Sequence, residues 1–113
     1  MYNITYKVRK VVKMKKIESI KFGLPVETYN KIKEIIIQYP YAFRVFGSRA
    51  RENHKRVSDI DIAIFGEVNE IDKFKIRNEF DKLDLPYLFD LVFITEKTKK
   101  ELLQAILKEG VDF

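Results

Sequence analysis

The chain has no cysteine, no tryptophan and a single histidine. Disulfides, zinc–thiolate sites, iron–sulfur clusters and thiol nucleophiles are therefore excluded. His54 alone cannot build a multi-histidine metal site. Any metal would have to be held by oxygen ligands, which favours Mg²⁺, Mn²⁺ or Ca²⁺. No apolar run approaches the roughly 18 to 20 residues needed to cross a bilayer. The opening stretch, MYNITYKVRKVVKMKKIESIK, is basic but has neither a continuous apolar centre nor a small-residue cleavage site. It does not read as a signal peptide. The expectation is a cytoplasmic protein with no membrane partner.

What is present fits one small globular domain: 113 residues, 46% hydrophobic and 35% charged. The net charge of +5 is unevenly spread. Residues 1–21 hold seven Lys/Arg against one Glu, and the remaining residues hold fifteen against sixteen Asp/Glu. The basicity belongs to an N-terminal arm, residues 1–21, and not to the body, residues 22–113. Such an arm reads first as a solvated extension. Contact with nucleic acid or an acidic partner is the alternative. Within it, ITYKVRKVV at residues 4–12 alternates apolar and polar and reads as a short edge strand.

The body alternates helices and strands. Residues 26–39 carry apolar groups at Val26, Tyr29, Ile32, Ile36 and Tyr39, a helical spacing that Pro25 admits and Pro40 ends. Residues 41–46 read as a strand stopped by Gly47, and a short helical turn starts at Ser48. Residues 52–57, ENHKRV, read as a polar loop containing a solvated His54. Residues 59–65, DIDIAIF, read as a strand. A helix is expected over residues 69–83, capped by Asn69, with Ile71, Phe74, Ile76, Phe80 and Leu83 near one side. A third strand covers 87–94. A last helix covers 95–109, capped by Thr95 or Thr98 and ended by Gly110. Phe43, Phe46, Phe74, Phe80, Phe89 and Phe93 read as core. The pattern is α/β (α+β): a small mixed sheet flanked by helices.

Chemistry concentrates in GSRARENHKRVSDIDIAIFG. Side chains two apart on a strand share a face, so Asp59 and Asp61 are neighbours, while Ile60, Ile62 and Ile64 face the other way. Two like charges this close raise one pKa and cost stability unless a cation sits between them. Asp90, inside the apolar run YLFDLVFI, adds a third carboxylate if its strand lies beside the first. Three acids suit one or two Mg²⁺ ions, as in phosphoryl or nucleotidyl transfer. Gly47 lets the backbone approach a ligand, and Ser48 opens a turn whose N–H groups suit a phosphate. Arg49 and Arg51 are matched to phosphate oxygens.

Gly47-Ser48, ten residues, then Asp59-x-Asp61 resembles the signature of the polymerase-β-like nucleotidyltransferase superfamily. GSRAR followed by SDIDIAI is similar to its minimal nucleotidyltransferase group, short domains paired as antitoxins with helical HEPN-domain toxins. The resemblance spans about residues 22–109 and departs from the family pattern at Glu52-Asn53, where many relatives have a glycine. It implies that Gly47 and Ser48 hold the triphosphate of ATP. It implies that Asp59, Asp61 and Asp90 hold two Mg²⁺ ions, with Mn²⁺ as the alternative, and that Asp90 assists deprotonation of the acceptor. It implies AMP transfer to a tyrosine of a HEPN-type RNase toxin. Two other readings stand beside it: an antitoxin that neutralises by binding alone, and a transferase acting on a small molecule or RNA.

Overall fold

The computed structural model describes residues 21–51 and 59–113. The expected edge strand at 4–12, the basic arm up to residue 20 and the loop at 52–57 lie outside the described residues.

Helix α1 runs Val26–Ile36. Pro25 precedes it, where a missing N–H costs nothing. The helix ends earlier than its apolar spacing suggests. The chain tightens into shorter-range bonds, Gln38 N–H to Ile35 O at 3.1 Å and Tyr39 N–H to Ile36 O at 3.2 Å, before Pro40. Strand β1 is Ala42–Phe46, the short helix α2 is Ser48–Arg51, and strand β2 is Ile60–Phe65. Helix α3 is Glu70–Asp81, and the Asn69 side chain caps it by accepting from Asp72 N–H at 2.7 Å. Strand β3 is Phe89–Phe93, helix α4 is Lys100–Glu109, and a two-residue strand β4, Val111–Asp112, follows directly.

Helix α4 begins five residues after the expected start at residue 95. Thr95 and Thr98 form a closed turn of their own, with Thr98 Oγ1 accepting from Thr95 N–H at 2.9 Å and Thr95 Oγ1 accepting from Lys97 N–H at 3.1 Å. Threonine hydroxyls compete with the helix for backbone donors in this way.

The four strands lie in the order β3-β2-β1-β4. β1 is antiparallel to both β2 and β4, and β3 is parallel to β2. A parallel neighbour needs a crossover, and α3 supplies it. One face of the sheet buries Phe43, Val45, Ile60, Ile62 and Ile64 against Ile32 and Ile35 of α1 and Ile76 and Phe80 of α3. Each fully buried isoleucine contributes about 1.5–3 kcal/mol. The opposite face carries Arg44, Ala63, Asp61 and Asp90. There Arg44 donates through Nε to Ile106 O at 3.1 Å, pairs with Asp112 at 2.7 Å, and so ties the end of α4 to the sheet.

Two residues expected on the apolar side of α3, one of them read as core, are exposed. Ile71 is 68% and Phe74 70% accessible. Ile76 and Phe80, one turn apart, define the buried side of α3, and Phe74 stands two residues from Ile76, about 200° around the helix.

Candidate active site

The site is built by register. Asp61 of β2 pairs with Asp90 of β3 in the parallel ladder, and with Phe46 of β1 in the antiparallel one. In-register neighbours project to the same face, so the Asp61 and Asp90 carboxylates stand side by side. Asp59, just ahead of β2 and exposed, precedes Asp61 by two residues. Both Asp90 and Asp59 raise the pKa of Asp61, after the larger effect of its partial burial, and Arg51 opposes them. The carboxyl of Asp61 is therefore held above its ordinary range by solvent exclusion and like charge.

The turn after β1 reaches the same point. Because Phe46 pairs with Asp61, the next residue, Gly47, passes directly over that carboxylate. Gly47 adopts φ +75°, and a Cβ there would fall well inside contact distance of Asp61 Oδ2. Glycine satisfies both demands at once: it takes the left-handed backbone and leaves room for the acid. Ser48, half-buried, then opens α2, and Arg51 N–H bonds back to Gly47 O at 3.1 Å.

The two arginines of α2 point in different directions. Two residues along a helix turn by about 200°. Arg51 is exposed and pairs with Glu109 at 3.1 Å. Arg49 is fully buried. Its Nη1 donates to Phe22 O at 2.9 Å, and its guanidinium lies 5.1 Å from the centre of the Tyr87 ring. Burial pulls its pKa down. Its contacts brace α2 against the start of the body and the entry to β3. Glu109 carries no sequence signal of this contact. It lies in the last turn of α4, far along the chain, and no local pattern links it to Arg51.

Clefts of about 340, 290 and 160 Å³ lie elsewhere: between Gly66 and Thr95 at the other end of β2 and β3, between α1 and α3, and beside Arg77 and Phe89. None is lined by Gly47, Ser48, Asp59, Asp61 or Asp90. The perturbed carboxylate of Asp61 marks the site.

Among the described residues no three acidic or imidazole side chains form a closed metal-holding set. The donors present nevertheless fit a hard divalent ion. Mg²⁺ is commonly held by one or two carboxylates, with substrate phosphates and waters completing its shell. Asp61, destabilised by Asp90 and Asp59, is the kind of carboxylate such an ion relieves. No described helix is long and apolar enough to cross a membrane.

Solved structures share this fold. A toxin–antitoxin with AMP-PNP matches with a TM-score of 0.57 and 24% identity, covering 74% of this chain and 69% of that one. A mutant MntA–HpeT toxin–antitoxin matches with a TM-score of 0.57 and 22% identity, covering 75% and 70%. A Shewanella oneidensis complex of a tri-AMPylated HEPN toxin with its MNT antitoxin matches with a TM-score of 0.50 and 24% identity, covering 74% and 66%. No curated protein matches the chain. The family model described as polymerase beta, nucleotidyltransferase, matches residues 30–112. That span takes in both acid-bearing strands, the Gly47 turn and the crossover between them, and the chain belongs to the polymerase beta nucleotidyltransferase family.

Proposed function

We propose that the protein is the antitoxin of a HEPN-type toxin–antitoxin pair and silences its partner by transferring AMP from ATP to a tyrosine hydroxyl. The observation that carries this reading is the in-register pair Asp61–Asp90 beneath Gly47. The neighbouring folds add support, since one such structure contains AMP-PNP and another a tri-AMPylated HEPN toxin.

In this reading Gly47 and Ser48 receive the triphosphate, because only a residue without a side chain leaves space between the turn and Asp61. Arg51, exposed one turn on, supplies charge-assisted donors to phosphate oxygens. Arg49 holds α2 in place from within. Asp59, Asp61 and Asp90 would hold Mg²⁺ or Mn²⁺, which when bound neutralises charge on the phosphates and lowers the pKa of a bound hydroxyl. Asp90, the more exposed of the paired acids, takes the proton of the acceptor phenol. The phenol oxygen forms a bond to the α-phosphorus as the bond to the β-phosphate oxygen breaks, and pyrophosphate leaves.

Incubation with α-labelled ATP, Mg²⁺ and the cognate helical partner tests the reading. Label on the partner, lost with Asp61→Asn, is the expected result. An Asp59→Asn/Asp61→Asn variant that transfers nothing yet still neutralises the toxin would favour an antitoxin that acts by binding alone. The basic arm at 1–21 is a candidate RNA contact, and steep salt dependence of RNA binding would support it.

A further inference from the structure

Arg51 closes α2 one turn from Gly47, with its guanidinium turned outward. There its Nη1 meets Glu109 Oε1 at 3.1 Å, on the last residue of α4. The two ends of this ion pair are held differently. The end of α4 is fixed: Gly110 N–H bonds Ile106 O at 2.9 Å, Arg44 bonds the same carbonyl, and Arg44 pairs with Asp112 of β4. Arg51 lies at the end of a four-residue helix. Its side chain is 46% exposed and that of Glu109 38%, so a solute can reach both.

We propose, resting on the nucleotide-binding reading above, that Glu109 is a positioning residue that holds Arg51 in the nucleotide-free protein and yields it to the phosphates of the incoming nucleotide. The exchange is favoured by chemistry. A half-exposed carboxylate at one guanidinium nitrogen is a weak partner, whereas a phosphate accepts two parallel N–H donors and carries more charge. Arg51 N–H bonds Gly47 O at 3.1 Å, and Gly47 lies against the Asp61 carboxylate, so α2 already carries Arg51 beside the acid pair. Glu109 thus parks the arginine beside the site, and phosphate must displace it to take the guanidinium. Release of Arg51 would also uncouple α2 from α4, so nucleotide binding would be felt at the end of α4.

The experiment is a double-mutant cycle on the dissociation constant of Mg·ATP, read by calorimetry, for the wild type, Glu109→Gln, Arg51→Ala and the double variant. Glu109→Gln is expected to bind ATP about two- to fivefold more tightly, the worth of a half-exposed ion pair. Arg51→Ala is expected to bind more weakly, and adding Glu109→Gln to it should change nothing further. Glu109→Ala provides a second removal of the same partner. The Arg51 side-chain N–H resonance should shift on Glu109→Gln in the direction that ATP shifts it in the wild type, a response a purely structural role would not give. An unchanged constant in both Glu109 variants overturns the inference alone. So does an equal gain in the Arg51→Ala background, which would mark simple repulsion by Glu109. A wild type that binds no ATP overturns the nucleotide-binding reading and this inference with it.

Discussion

Gly47 lies so close over Asp61 that a methyl group at position 47 would take the space of the carboxylate oxygen Oδ2. The pairing of Phe46 with Asp61 fixes this approach, and the φ of +75° keeps the turn left-handed. Gly47→Ala is therefore expected to act twice. The left-handed backbone costs about 1–2 kcal/mol, visible as a lower Tm. The Asp61 side chain, displaced by the methyl, loses its position, and a shift of this size lowers transfer about 100-fold. Melting and a rate assay on one preparation separate the two effects.

Asp61 itself gives a pH prediction. Its folded pKa is raised above the ordinary 3.8 by burial and by Asp90 and Asp59. Between 3.8 and the raised value the folded protein keeps a proton that the unfolded chain releases, so stability falls as pH rises through that window. Above it, the ionised carboxylate remains a standing cost. Asp61→Asn should melt higher than the wild type at pH 7 without nucleotide or metal. The gap should close as the pH falls below about 4, where the acid is neutral in both states. Thermal melts across pH 3–8 check this, and transfer activity should be lost in the same variant.

Arg49 and Arg51 differ sharply in burial within one helical turn. Arg49→Ala removes a fully buried side chain and its bond to Phe22 O, and is expected to cost about 2–4 kcal/mol. Arg51→Ala should change stability by about 0.5 kcal/mol or less. Denaturant unfolding of the two variants reads the difference directly. The sequence RAR did not distinguish them, because α2 is too short to show an apolar face. Which arginine turns inward is decided by Phe22 and Tyr87, brought in from two distant parts of the chain.

Helix α3 offers a parallel contrast. Phe80→Ala should cost about 3–5 kcal/mol, since Phe80 is 2% exposed against Phe89. Phe74→Ala, at 70% exposure, should stay within about 0.5 kcal/mol. Equal losses would mean that α3 is rotated from the position described.

Much of the architecture was legible in the chain. Isoleucines at 60, 62 and 64 announced β2, Asn69 announced the start of α3, and Gly110 the end of α4. Asp59, Asp61 and Asp90 drew notice because acids are costly in apolar strands. That Asp90 joins the other two was only conditional in the sequence. It became definite through the parallel register of β2 and β3, which depends on α3 crossing over. Strand β4 and the Arg51–Glu109 pair gave no local signal, since two residues are too few to show a period and a long-range ion pair has none. The late start of α4 was hidden for another reason: a threonine caps a helix and closes a turn with the same hydroxyl.

The proposed nucleotide transfer is centred on Asp61 and Asp90. The most direct measurement is the intact mass of the cognate helical partner after incubation with this protein, ATP and Mg²⁺. Added mass of one or more AMP units is expected, and it should vanish when Asp61→Asn replaces the wild type. A partner that forms the complex and stays unmodified with the wild-type protein would contradict it.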